Sequence, residues 1–146
     1  MNWEENILTR DEDIAELIRE TKTIAVLGIK PESHRQQPAF YVPDYMSRQG
    51  FEIIPVPVYY PEVTDVLGRR VYRTLQDIPH VIDMVNIFRR PHDIPQHADD
   101  IVSAGPKSVW LQLGIRNHEV AQRLAEAGIK VVQDRCLMVE HRYLPK

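Results

Sequence analysis

Short apolar runs alternate with amphipathic stretches along the whole chain, and that alternation predicts βα units around a parallel sheet. Thr23-Ile24-Ala25-Val26-Leu27 is uncharged and β-rich, the pattern of a central strand covered on both faces, and Gly28 closes it. Phe51 to Val58 predicts a second strand, with Pro55 and Pro57 better placed towards its end because each removes a ladder donor. Val81 to Phe88 predicts the third, Ser108 to Leu113 the fourth and Ile129 to Val132 a short fifth. The first helix is expected over residues 10–21, where Thr9 and Glu12 have capping-box spacing and Ile14, Leu17 and Ile18 share a face. Further helices are expected from Ala39 to Gly50, from Pro91 to Ala104, and from an Asn117 N-cap to Ala127. Asp134 is expected to cap a closing helix carrying Cys136, Glu140 and His141. Val71 and Tyr72 suggest a brief extended piece, and Pro43 interrupts the second helix without an evident reason.

Five strands in this order imply a Rossmann-like three-layer α/β fold with a five-stranded parallel sheet and helices on both faces. Right-handed crossovers are expected to fill outward from strand one and to reverse when strand four starts on its other side. The crevice at such a reversal faces the loops at the carboxyl ends of strands one and four, Gly28 to Gln37 and Leu113 to Asn117. Pro57 to Tyr60 and Phe88 to Arg90 follow strands two and three beside it.

Ser33, His34, Arg35 and Gln36 offer donors in the first loop, ahead of a helix N-terminus that suits phosphate oxygens, and Arg35 adds a charged planar fork. The same residue types also suit a solvated surface loop. A single glycine stands in this turn, so the Gly-x-Gly-x-x-Gly fingerprint of a dinucleotide site is missing.

A net charge of −3 and a pI near 6.1 point away from a nucleic-acid partner, and any anion site must be local. No run approaches the roughly 18 apolar residues of a membrane span. The acidic start, Asn2-Trp3-Glu4-Glu5, lacks the basic and apolar regions of a signal peptide, so a cytoplasmic protein without membrane attachment is expected. One cysteine, Cys136, excludes an intramolecular disulfide. With 146 residues the chain is expected to form one domain, residues 1–146.

Several segments together resemble the CoA-binding domain family, the stand-alone relatives of the N-terminal domain of the succinyl-CoA synthetase α subunit. They are Ile24-Ala25-Val26-Leu27-Gly28 with Pro31 and Arg35, Leu67-Gly68-Arg69-Arg70-Val71-Tyr72, and Asp83-Met84-Val85-Asn86-Ile87-Phe88-Arg89-Arg90-Pro91. Val109-Trp110-Leu111-Gln112-Leu113-Gly114 and Asp134-Arg135-Cys136 with Glu140-His141 complete the series. The resemblance implies coenzyme A or an acyl-CoA in the crevice, with the diphosphate at Gly28, Ile29, Ser33, His34, Arg35 and Gln36. It places the nucleotide end near Pro57, Val58, Tyr59 and Tyr60, the pantetheine arm past Leu111, Gln112, Leu113 and Gly114, and Phe88, Arg89 and Arg90 alongside. Relatives often carry Asn-Pro where this chain has Pro57-Val58; Tyr59 and Tyr60 can then stack on adenine, fill the crevice or support a homodimer contact.

In the synthetase the catalytic phosphohistidine lies in a further domain for which this chain has no room, so a non-catalytic binding module is expected. Cys136 beside Arg135 has the setting of a nucleophilic thiol or a mixed disulfide with CoA, and equally of a small buried hydrophobe. Glu140 and His141 are adjacent on a helix and point apart, and His92 and His97 do not stack on one face, so no catalytic or metal-binding set emerges. Of Arg89 and Arg90, one is expected to reach an anion and the other to pair with a carboxylate. The alternatives are an NAD(P)- or nucleotide-dependent enzyme on the same fold, or an interaction protein with a vestigial crevice.

Overall fold

The computed structural model describes residues Asn2 to Pro145. Strands β1 (Thr23–Leu27), β2 (Glu52–Val56), β5 (Met84–Ile87), β6 (Ser108–Leu111) and β7 (Lys130–Val132) form a five-stranded sheet. All its pairings are parallel, in the order β2-β1-β5-β6-β7. A small antiparallel hairpin, β3 (Asp65–Val66) and β4 (Arg69–Arg70), lies beside β2. Helices α1 (Asp11–Glu20), α2 (Pro38–Arg48), α3 (Ala98–Ala104), α4 (His118–Glu126) and α5 (Leu137–Arg142) cover the two faces.

Alternate residues of each strand feed two separate cores. Ala25 and Leu27 of β1 join Val85, Ile87, Val109 and Leu111 under Ile101, Val120 and Leu124 of α3 and α4. Ile24 and Val26 join Met84 and Trp110 under Ile14, Ile18, Phe40, Met46 and Leu137 of α1, α2 and α5. Trp110 is fully buried, and its indole N–H donates to the Arg135 carbonyl at 2.7 Å, so its polar atom is satisfied inside the second core. Among the described residues no helix is long and apolar enough to cross a membrane.

The expected strand order is corrected. The reversal occurs between β1 and β5, the third strand of the sheet, so the crevice opens over the ends of β1 and β5 rather than β1 and β6. Sequence pattern alone does not say on which side of β1 the third strand docks. The expected helix from Pro91 to Ala104 is likewise shorter: Pro91 and Pro95 each open a separate 3-10 turn, Pro91–Asp93 and Pro95–His97, before α3 begins. Pro95 lacks the N–H that a helix continuing from Pro91 would bond to the Pro91 carbonyl, whereas Pro91 is suited to a first turn.

Two expected caps do not form. Helix α1 takes Arg10 as its N-cap with no side-chain bond, so the Thr9–Glu12 capping box is absent. Cys136, not Asp134, is the N-cap of α5, and it also lacks a side-chain bond. Asn117 does cap α4, accepting from the Val120 N–H at 3.0 Å. Strand β2 ends at Val56, before Pro57.

The prolines within β2 and in the interior of α2 have a structural explanation. Pro55 lies on an edge strand, and its carbonyl accepts from the Tyr72 N–H at 2.9 Å on the side away from β1. Its missing N–H therefore costs no sheet bond. Pro43 sits inside α2 and cannot donate to the Ala39 carbonyl one turn back. That carbonyl instead accepts from the Lys30 N–H at 3.1 Å, which ties the loop after β1 to the helix that follows it.

Candidate functional site

At the carboxyl end of β1 the chain turns through Gly28, whose φ of +90° lies in the region that favours glycine. The Gly28 N–H donates to the Val56 carbonyl of β2 and the Phe88 N–H donates to the Leu27 carbonyl, both at 2.9 Å, so the end of β1 is held to β2 on one side and to β5 on the other. A Cβ on Gly28 would meet the Phe88 carbonyl oxygen at 2.3 Å. Only glycine permits this approach.

Gly28, Ile29, Lys30, Val58, Tyr59, Tyr60, Phe88 and Arg89 line a cleft of about 50 Å³ at the reversal. An adjoining open depression of about 300 Å³ is formed by Glu32, Ser33, His34, Arg35, Gln36 and Gln37. His34 and Tyr60 join the two, with ring centroids 5.2 Å apart and His34 Nε2 3.4 Å from the Tyr60 hydroxyl. Eleven of the residues singled out in the sequence therefore converge: Gly28, Ile29, Ser33 to Gln36, Val58 to Tyr60, Phe88 and Arg89.

The first loop is a 3-10 turn, Glu32–His34, followed by a turn into α2. Ser33 Oγ lies 2.9 Å from His34 Nδ1, so part of its hydrogen-bonding capacity is used within the loop. The Lys30 ammonium donates to the Gln37 side-chain oxygen. Arg35 is exposed and stacks its guanidinium 5.4 Å over the Phe40 ring, without a carboxylate partner among the described residues. The Glu32 carboxylate accepts the Leu67 N–H of the β3–β4 hairpin at 2.8 Å. The loop thus directs its carboxylate to the hairpin and leaves cationic donors at its outer edge.

After β2, Tyr60 adopts a φ of +65° and Tyr59 is 59% exposed. Arg73 holds this segment by donating to the carbonyls of Tyr59, Tyr60, Pro61 and Val63 at 2.7–3.4 Å. After β5 the two arginines differ. Arg90 is exposed and pairs with Asp93 at 2.9 Å. Arg89 has a side chain only 8% exposed, lies 5.5 Å over the Tyr59 ring, and stands 3.9 Å from Asp93. Its Nε donates to His97 Nε2 at 3.2 Å. The hydrogen bond from Arg90, together with the charges of Arg90, His92 and Arg89, holds the Asp93 carboxyl below its ordinary value against the opposing effect of burial.

The residues after β6 lie apart from this cleft. Leu111 is fully buried in the core, and Gln112 turns its side chain inward, where its oxygen accepts from Asn86 Nδ2 at 3.2 Å and from the Leu137 N–H at 3.4 Å. Leu113 is 66% exposed, and the Gly114 N–H donates to the Asp134 carboxylate at 2.7 Å. That bond, ahead of Arg116, holds Asp134 below the usual carboxylate range and joins the loops after β6 and β7. Pro57 precedes the cleft-lining segment.

Lys30, Arg73, His97, Asp134 and Glu32 were not singled out as ligand contacts or positioning groups from sequence. Lys30 alone carried a local signal, a basic residue two positions after the closing glycine. The others act across sequence separations that spacing does not encode. A larger cavity, about 710 Å³, lies elsewhere, between α1, Arg135 and the end of α5.

The chain matches the model of the CoA binding domain family over residues 22–142. It is 34% identical over 129 residues to the uncharacterized protein YneT of Bacillus subtilis (strain 168), spanning 88% of this chain and 92% of that protein. A solved Thermus thermophilus protein, cell-free ID.343, is 37% identical, with a TM-score of 0.85 over 94% of this chain and all of that one. The dinucleotide-forming acetyl-coenzyme A synthetase 1 of Ca. Korarchaeum cryptofilum, in complex with phosphate and ADP, shares 19% identity. Its TM-score is 0.66 over 80% of this chain and 27% of the synthetase, a likeness of fold alone. On the match across residues 22–142 and the likeness to YneT, the chain belongs to the CoA binding domain family.

Proposed function

We propose that this protein binds coenzyme A or an acyl-CoA along the carboxyl edge of its sheet, as a non-catalytic module. The observation that carries the reading is the concentration of cationic and hydrogen-bonding groups at the β1–β5 reversal: Lys30, His34, Arg35 and Arg89 around a loop whose own carboxylate, Glu32, is engaged by the Leu67 N–H. CoA is an elongated polyanion, and this donor set fits its diphosphate. Ser33 to Gln36 hold the diphosphate, with Arg35 as the charged fork, while Tyr59 and Tyr60 offer aromatic faces to the adenine end.

The cleft at Gly28 is about 50 Å³, against the roughly 300–1,000 Å³ of pockets that enclose a drug-sized ligand. The nucleotide therefore lies along the edge and the Glu32–Gln37 depression, not inside the cleft. The pantetheine arm runs outward past Leu113 and Gly114. Titration calorimetry with CoA and dephospho-CoA tests the reading. Saturable binding that weakens about tenfold or more in Arg35→Ala is expected for a lost charged contact to phosphate. Absence of both heat and thermal shift at millimolar ligand overturns it, because a bound ligand must stabilise the folded state by mass action.

A further inference from the structure

Arg89 is the most enclosed cation of the site, and its neighbours do not neutralise it. Its stem packs against Gly28, where a Cβ would stand 3.3 Å from Arg89 Cδ, and its guanidinium covers Tyr59 in the cleft. The carboxylate of Asp93 is 3.9 Å away and is shared with Arg90 at 2.9 Å and His92 at 3.6 Å. Neither terminal nitrogen of Arg89 makes a hydrogen bond among the described residues; only Nε does, to His97 Nε2. A largely buried cation with its terminal donors unused and a shared, distant counterion is a site for an anionic group.

His97 Nε2 also lies 3.3 Å from the Gln96 side-chain nitrogen. Arginine cannot give up its proton, so the Nε–H of Arg89 requires a lone pair on Nε2 and the imidazole proton on Nδ1. A second proton on His97 would set N–H against N–H and place two cations about 3 Å apart in a partly buried setting. Arg89 would then have to leave the cleft.

We propose that His97 is a positioning residue for the ligand: its unprotonated Nε2 holds the Arg89 guanidinium over the Gly28–Tyr59 cleft, where Arg89 takes a phosphate group, and binding weakens when His97 is protonated. The proposal rests on the CoA reading above. The groups facing His97 are Arg89 after β5, Asp93 in the 3-10 turn, Gln96 beside it, and Asp100 on α3. Asp100 is occupied by the N–H groups of Leu75 and Gln76 at 2.8 and 3.2 Å. Burial first and the charge of Arg89 second hold His97 below its ordinary value, and Asp100 and Asp93 oppose them without prevailing. The imidazole is therefore neutral at pH 7 and charges only as pH falls through a value below the ordinary histidine range.

The test is calorimetry of CoA binding to the full chain and to His97→Gln and His97→Phe, between about pH 8 and about pH 4.5. Glutamine supplies an oxygen acceptor that does not titrate, whereas phenylalanine supplies none. Affinity of His97→Gln at the upper pH should stay within about threefold of the parent, while His97→Phe weakens about tenfold. Once pH falls below the lowered His97 value, the parent should lose affinity relative to His97→Gln by up to about tenfold per pH unit. Ionisation of the CoA phosphates is common to all three proteins and cancels in that comparison.

Equal pH profiles for the parent and His97→Gln, or full affinity in His97→Phe, overturn the proposal while leaving the CoA reading intact. No CoA binding by the parent at any pH removes both. Nitrogen NMR of the His97 ring gives a ligand-free check: Nε2 should be the unprotonated nitrogen at about pH 7.5. A protonated Nε2 overturns the proposal whatever the variants do.

Discussion

Gly28 bears the tightest backbone constraint at the site, since its φ of +90° and the Phe88 carbonyl 2.3 Å from a hypothetical Cβ act together. Gly28→Ala should cost about 3 kcal/mol or more, because a strained φ and a backbone clash add. A fall of several degrees in melting temperature is expected; an unchanged melting curve would mean that the β1 and β5 ends do not approach as described. The same residue shows what sequence can reveal. A glycine closing an apolar run marks a turn, but the partner that forbids a side chain is Phe88, sixty residues on. Arg89 and Arg90 repeat the point. That one of them pairs with a carboxylate was legible, but not which one, and the imidazole that holds Arg89 was not, because His97 reaches it across the Pro91–Asp93 and Pro95–His97 turns.

Helix α2 carries a proline in its interior, and the freed Ala39 carbonyl anchors Lys30. Pro43→Ala would restore a helical donor that competes for this oxygen. Hydrogen exchange should then show the Lys30 amide losing protection by about tenfold, equivalent to about 1.4 kcal/mol of local opening free energy, while the helix interior gains it. Unchanged protection of Lys30 would show that the anchor is not needed. At this scale the apolar runs located all five strands of the sheet, and β1 had the observed bounds. The β3–β4 hairpin escaped notice because its strands are two residues each and are held partly by Glu32 and by packing on β2, not by their own alternation. Helical periodicity likewise could not register that Pro91 and Pro95 divide one helix into two turns and a short α3.

Across the whole molecule, the proposed site and a tie between strands lie at opposite edges of the sheet. The carboxyl edge gathers Gly28, Lys30, Arg35 and Arg89, while at the amino edge Asp83 ties β1 to β5. Its carboxylate accepts from the Lys22 and Thr23 N–H groups at 2.9 and 3.1 Å and lies 3.3 Å from the Lys107 ammonium. Burial raises the Asp83 carboxyl, but these partners together outweigh it and hold the group below its ordinary value. A lowered carboxylate binds fewer protons folded than unfolded, so its contribution is present above about pH 4 and is lost as pH falls through the lowered value. Asp83→Ala should cost about 1–3 kcal/mol near neutrality and flatten the acid limb of the stability curve. An unaltered acid limb would assign that limb to other carboxylates.

Binding of CoA at the carboxyl edge is most directly tested by native mass spectrometry of the protein mixed with CoA and NAD at equal concentration. A one-to-one CoA complex, diminished in Arg35→Ala, is the result predicted from the cationic loop after β1. A complex with NAD in preference to CoA, or the free protein alone at millimolar ligand, would contradict it.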